Sequence, residues 1–312
     1  MKYTIEKISK EWDHSVKSIA ALFHKFEIYG SNSECYQIKN KGGNLVGEFY
    51  IFKKSKLGKS YLITPPYSSN IGLNIINEAT NPAQVQTNLK QITKVVADFL
   101  SEQNSILIEI VLPQDIKDAQ AFQWKKFETS IKYTYLLDLN PSEEILLSNM
   151  SPERRKNIKK SVTDHIEIKS FNDPDQIISW SEQTLSNNNA SFDIEIIKNI
   201  VKKFADTEHL VCKVTYMDSL PISMALCIKT DFECIYLFSW KNKEAKNESA
   251  GAFALWNCII EAKASGCLIF DFAGSDFQAI ERFFRGFGGA LTPMIQLKKV
   301  SSLGKIALKL KK

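Results

Sequence analysis

The sequence has no cysteine pair at metal-binding or redox spacing. Its six cysteines (Cys35, Cys212, Cys227, Cys234, Cys258 and Cys267) stand apart, and several lie inside apolar runs. Thiols placed in this way act as small core residues, which points to a reducing compartment, the cytoplasm. Histidine is scarce: His14, His24, His165 and His209 are scattered and have no clustered acidic or thiol partners, so no metal site is expected. No run reaches the length that spans a bilayer, so no integral membrane segment is expected. Residues 1–6 carry no apolar core and no small-residue cleavage site, so no signal peptide is expected either. Ser-His-Asp and Cys-His arrangements, a P-loop and a paired-glycine nucleotide fingerprint are all missing, which disfavours covalent catalysis through a side chain.

What is present is ordinary globular composition. The 312 residues are 44% apolar and 24% charged, with 19 Phe, 10 Tyr and 5 Trp, enough for two aromatic-rich cores. That length predicts two domains, residues 1–140 and 141–312, divided near the Asn140-Pro141-Ser142-Glu143 segment. The net charge of +5 suits an anionic ligand and equally suits plain solubility. The tail at 298–312 alternates Lys with Leu, Ile and Val; it is a solvated terminus or a segment that touches anionic lipid.

The pattern of periodicities predicts mixed α and β structure in both halves. In the first, residues 12–26 and 82–103 have helical spacing. Residues 35–39, 45–53, 61–64, 106–112 and 131–139 read as strands, with a turn at Lys41-Gly42-Gly43-Asn44. In the second half, strands are expected at 210–216, 222–229, 233–240, 267–272 and 294–298, and helices at 250–264 and 277–287. The two halves repeat one order of elements at an offset of roughly 175 residues, which a duplicated domain explains.

Three stretches carry candidate chemistry. Ser151-Pro152 opens a helix whose Arg154-Arg155-Lys156-Asn157-Ile158-Lys159-Lys160 run holds five cations in seven residues. Arg155 and Lys159, one turn apart, form either a phosphate clamp or part of a solvated basic face. Next, Ser239-Trp240-Lys241 ends a strand before the small residues around Gly251 that start a helix. That helix start is either an anion site or plain close packing. Finally, Phe270-Asp271-Phe272-Ala273-Gly274-Ser275 reads as a strand end and turn, with Ser275 and Gln278 as a capping box. Phe277, Ile280, Phe283, Phe284 and Phe287 stripe the helix that follows. Its Phe and Gly residues serve the fold; Arg282 and Arg285 are surplus to it.

The F-D-F-A-G-S segment followed by R-F-F-R-G-F-G-G resembles the C-terminal signature of the Fem peptidyltransferases and FemAB-like acetyltransferases. Trp124-Lys125-Lys126-Phe127 with residues 133–139, the helix at 146–161, and residues 67–72 resemble further blocks of that family in the same order. The resemblance implies an α+β fold of two tandem GNAT domains, each a mixed, mainly antiparallel sheet flanked by helices. It implies transfer of an acyl or aminoacyl group to an amine, with donor acyl-CoA (acetyl-CoA) or aminoacyl-tRNA. The acceptor is then a small molecule or cell-wall precursor, tRNA is a further partner, and the chain acts as monomer or homodimer. The donor carbonyl would be held by backbone N–H groups of the strand at 233–240, with Tyr236 or Ser239 supplying a proton. Asp271 is the lesser candidate, as a base. Arg154, Arg155, Lys159, Trp240, Lys241, Gly251, Arg282 and Arg285 would hold anionic substrate. The segment Glu248-Ser249-Ala250-Gly251-Ala252 lacks the leading Arg or Gln of an acyl-CoA pyrophosphate loop. A rival reading is a catalytically degenerate GNAT-like module that binds an anionic cell-envelope precursor or nucleic acid.

Overall fold

The computed structural model describes residues 3–8, 16–56, 58–187, 193–245, 247–274, 278–302 and 304. They form two compact units. The first holds residues 20–132 and 293 onward with the N-terminal strand, and the second holds 133–292 with residues 16–19.

In the first unit the strands are β1 (Tyr3–Lys7), β2 (Ser33–Asn40), β3 (Leu45–Lys56), β4 (Lys59–Ile63), β5 (Asn74–Ile75) and β6 (Leu107–Val111). The sheet runs β1-β2-β3-β4-β6 and ends on β13 (Ala290–Val300), with β5 added on β3. Helix α1 (Ile19–Lys25) is shorter than the helix expected at 12–26, of which residues 12–15 lie outside the described residues. Helix α2 (Pro82–Glu102) starts at an Asn81 cap with Pro at its first position, which needs no N–H there. Its Ile92, Val96 and Leu100 close a core with Ile38, Phe49, Ile51, Ile108 and Ile110. Alternation along β2 and β3 sends Cys35 and Tyr50 to the other face, where His24 of α1 meets the Tyr50 ring. A short helix, α3 (Gln120–Trp124), leads into β7 (Glu128–Asp138).

The second unit contains α4 (Glu143–Ser148), α5 (Pro152–Thr163), β8 (Glu167–Ser170), α6 (Pro174–Asn187), α7 (Ile194–Phe204), β9 (Leu210–Met217), β10 (Leu220–Lys229), β11 (Glu233–Lys241), α8 (Ala250–Ala264), β12 (Ile269–Asp271) and α9 (Gln278–Arg285). Its sheet order is β7-β12-β11-β10-β9-β8. All pairs are antiparallel except β11 with β12, which run parallel. Helices α5, α8 and α9 bury Ile158, Phe253, Trp256, Ile259 and Phe284 against Ala225, Cys227, Cys234 and Tyr236. The opposite face carries α6, whose Trp180 stacks on Trp240.

The repeat at an offset near 175 is visible in the elements: β3 at 45 answers β10 at 220, and α2-β6-α3 answers α8-β12-α9. The last strand of each repeat sits in the other sheet. Residues 136–138 of β7 pair with β12, while residues 296–300 of β13 pair with β6. The division therefore falls inside β7 and again inside β13, in place of a single boundary near 140.

Candidate functional site

The parallel pairing of β11 with β12 is brief. It joins Glu233 to Ile269, Cys234 to Phe270 and Ile235 to Asp271, and among the described residues no pair lies beyond. From Tyr236 onward β11 leaves β12 and keeps only β10. The register with β10 then slips: Cys227 opposes Tyr236, Leu226 opposes Phe238, and Leu237 opposes nothing. Leu237 is thus the extra residue of a β-bulge, with no register partner on β10 or β12. Main-chain groups at such a bulge are the ones placed to meet an acceptor from outside the sheet.

The bulge has a second effect. Residues three apart on a regular strand face opposite sides, yet Tyr236 opposes Cys227 and Ser239 opposes Ala225, two residues on one face. The Tyr236 and Ser239 hydroxyls hydrogen-bond as a result, and burial pushes the phenol well above its ordinary range. Tyr236 is buried and Ser239 exposed, so the pair links the core to solvent.

Helix α8 follows this strand. The Asn247 carboxamide oxygen accepts from the N–H groups of Ser249 and Ala250 and from the Ser249 hydroxyl. The first N–H bonded within the helix is that of Phe253, to the Ser249 carbonyl. Gly251 and Ala252 therefore have no helical acceptor for their N–H groups. A Cβ on Gly251 would meet only the Ser223 hydroxyl at 3.5 Å, an ordinary contact, so packing does not demand glycine there. The Ser161 hydroxyl donates to that of Ser249 at 2.9 Å, which fixes α5 beside the start of α8.

The expected cations are placed unequally. Lys159 and Lys241 are exposed. Arg155 donates to the carbonyls of Ser148 and Met150 at the end of α4, where it serves as a cap. Arg154 is buried: it donates to Glu153 and Asn157, lies 4.7 Å above the Phe283 ring, and its Nε has no partner. Burial lowers its affinity for its proton. Arg282 and Arg285, surplus in the sequence, have local partners in Glu153 at 3.5 Å and Glu281 at 3.2 Å. Trp240 lies in the core, 4.6 Å from Trp180, with its indole N–H on Gln183. A phosphate cannot reach it without unpacking α6.

Asp271 is buried, accepts from the Thr134 hydroxyl and the Ala273 N–H, and so closes a turn. That turn needs Gly274, whose φ is +68° and whose Cβ would lie 2.3 Å from the Tyr133 carbonyl. The capping box expected from Ser275, and Phe277, lie outside the described residues.

Sequence reasoning missed Glu233. Its carboxylate accepts from the Ile19 N–H at 2.8 Å, and burial with the nearby Asp271 charge lifts its pKa to about 7. The bulge, the Asn247 cap and the α6–α7 pair were missed as well. Among the described residues no cluster of three His, Cys, Asp or Glu could hold a metal, and no helix is long and apolar enough to cross a membrane.

In the first unit the corresponding fork is closed. Beyond the Ile63–Glu109 pair, Thr64 donates its N–H to Glu109, its hydroxyl accepts from the Val111 N–H, and Ile71 donates to Val111. The strand opening is a feature of the second unit.

Residues 153–285, which include all but the first residue of α5 and the whole of β11, α8 and α9, match the acetyltransferase (GNAT) domain family. No curated protein sequence matches the chain. Among solved structures it is similar to FemX, with a TM-score of 0.66 at 10% identity over 88% of this chain and 90% of FemX. It is also similar to L-PGS from Bacillus licheniformis (TM-score 0.55, 7% identity, 96% and 92% covered). A tandem GNAT protein from the clavulanic acid biosynthesis pathway gives 0.53 at 8% identity, with 96% and 98% covered. The chain has the FemX-like, tandem GNAT fold that its sequence resembles, and the match to the GNAT domain family lies in its second half.

Proposed function

We propose that this protein transfers an acyl or aminoacyl group to an amine, with the chemistry at the open edge of β11. The observation that carries this reading is the departure of β11 from β12 at Tyr236, with the Leu237 bulge one residue later. The acceptor amine attacks the donor carbonyl carbon, a C–N bond forms, and the C–S or C–O bond to the carrier breaks. Negative charge on the carbonyl oxygen is met by main-chain N–H groups at the Leu237 bulge, where Leu237 has no register partner on β10 or β12. Tyr236, its phenol held protonated by burial, delivers a proton to the departing thiolate or alkoxide, and the proton shed by the acceptor nitrogen passes through Ser239 to restore the phenol. The N–H groups of Gly251 and Ala252 at the positive end of α8 favour a phosphate on the carrier. Lys156, Lys159 and Lys160 on the exposed face of α5 supply further charge beside it.

The donor is acyl-CoA or an aminoacyl-tRNA. The acceptor is a small amine or a cell-wall precursor, in keeping with the Fem resemblance. Incubating the protein with acetyl-CoA, or with charged tRNA, across a panel of amines and muropeptide precursors tests the reading by mass spectrometry. Transfer that falls on the order of 100-fold in Tyr236→Phe supports it. Binding of either donor with no product over the whole panel sinks it.

One observation favours a second reading, a binding module without turnover. Asn247 already occupies two of the N–H groups that would face a pyrophosphate, and Phe284 covers the Tyr236 ring. The same assay separates the two.

A further inference from the structure

The point where β11 and β12 part is flanked by two aromatic residues. Ile235 and Asp271 are the last pair, and Tyr236 and Phe272 are the next residues out on the two arms. The Phe272 N–H donates to the Tyr135 carbonyl, which holds that arm to β7. A single ring from α9 touches both: Phe284 meets Tyr236 edge-on at 5.4 Å and 73°, and meets Phe272 at 5.4 Å and 36°. All three side chains are buried.

Phe284 cannot easily withdraw, because α9 is fixed just beyond it. The Ser151 N–H donates to the Gly286 carbonyl at 2.9 Å. Gly286 lets Arg154 approach so closely that a Cβ would lie 2.8 Å from the Arg154 Cγ, and a Cβ on Gly288 would lie 2.9 Å from the Asn149 carbonyl. Phe283 and Phe287 pack on each other at 5.3 Å and close the outer side. Moving Phe284 therefore requires moving the α5–α9 joint.

We infer that Phe284 sets the size of the acyl group that the fork accepts, restricting the donor to short groups such as acetyl or glycyl. This rests on the acyl-transfer reading above. The ring bridges the two arms at the closed end of the fork, so an acyl tail entering beside Leu237 meets its face after the first carbons. Each further methylene must displace a packed ring, and apolar sites discriminate by about 10–200-fold per methylene. Replacing Phe284 by a small residue leaves an apolar cavity between Tyr236, Phe272 and Phe287, which a longer tail would fill.

The test needs no acceptor. Dissociation constants of acetyl-, butyryl- and hexanoyl-CoA are measured by calorimetry for the wild-type protein, Phe284→Ala and Phe284→Leu, and the comparison is repeated with glycyl- and leucyl-tRNA. Wild type should favour the short acyl group. In Phe284→Ala the long-to-short affinity ratio should rise on the order of tenfold or more, with Phe284→Leu between the two. General loosening would weaken all donors alike and leave the ratio unmoved, so the ratio separates selectivity from stability. If Phe284→Ala does not fold, Phe284→Leu and Phe284→Met carry the comparison. An unchanged ratio in variants that bind the short donor, or a wild-type protein indifferent to length, overturns the inference while the acyl-transfer reading stands. A wild-type protein that binds no donor of either kind overturns both.

Discussion

Tyr236 and Ser239 share a hydrogen bond although they stand three residues apart on one strand, and the unpaired Leu237 between them makes it possible. The pair is a product of register as much as of residue type. Removing the phenolic hydroxyl in Tyr236→Phe leaves the ring contacts with Phe284 and strands no buried partner, since Ser239 is exposed. Turnover should fall on the order of 100-fold while stability changes by about 1 kcal/mol or less. Steady-state kinetics beside thermal melting checks both halves of that expectation.

Glu233 makes stability depend on pH in an unusual direction for a carboxylate. Its pKa is about 7 in the folded protein against an ordinary value of 4.5. Between those values the folded state holds a proton that the unfolded chain has released. Stability from this group is therefore fully present below about pH 4.5 and is lost as pH rises toward 7. Glu233→Gln keeps an oxygen for the Ile19 N–H and removes the titration. The variant should match wild type near pH 4.5 and exceed it by up to roughly 3 kcal/mol at pH 8, read from urea unfolding at each pH.

Gly251 and Gly274 should respond oppositely to alanine. Gly274→Ala forces a Cβ to 2.3 Å from the Tyr133 carbonyl at positive φ and should cost several kcal/mol, on the order of 3 or more. Gly251→Ala meets only ordinary contact inside a helix and should leave stability equal or raised by up to about 1 kcal/mol. If a phosphate approaches there, the same change weakens donor binding. Loss of affinity at unchanged melting temperature is the combination to look for.

Asn247 caps α8 from a buried position. Asn247→Ala should lower stability by about 1–2 kcal/mol, because two N–H groups lose their acceptor. A melting temperature equal to wild type would mean that water replaces the carboxamide.

Much of this fold could be read from periodicity. The strands at 210–241 and the helices at 82 and 250 are long and strongly patterned, so their residues declare them. Helices α6 and α7 are less legible, because the polar run Ser186-Asn187-Asn188-Asn189 interrupts the apolar spacing between them. The strand exchange is invisible in one sequence, since β7 and β13 look the same whichever sheet receives them. At the site, the residue types at 236 and 239 could be named, but their alignment on one face could not, because a bulge leaves no composition signal. Trp240 misled for a related reason: its neighbours in sequence are exposed, while its partner Trp180 lies 60 positions away. The surplus of Arg282 and Arg285 dissolved once Glu153 and Glu281 were seen beside them.

The exchange of β7 and β13 also bears on how the chain is made. The first sheet ends on a strand whose pairing begins at Gln296, which follows β6 only after the whole of the second unit's strands β8 to β12. A ribosome must have passed all of those strands before β6 can meet that partner. The N-terminal half would wait with an unpaired edge, a surface that invites pairing with other chains. Assembly of both sheets is thus expected to be a late and joint event, and a fragment ending near residue 140 to be a poor substitute for either unit.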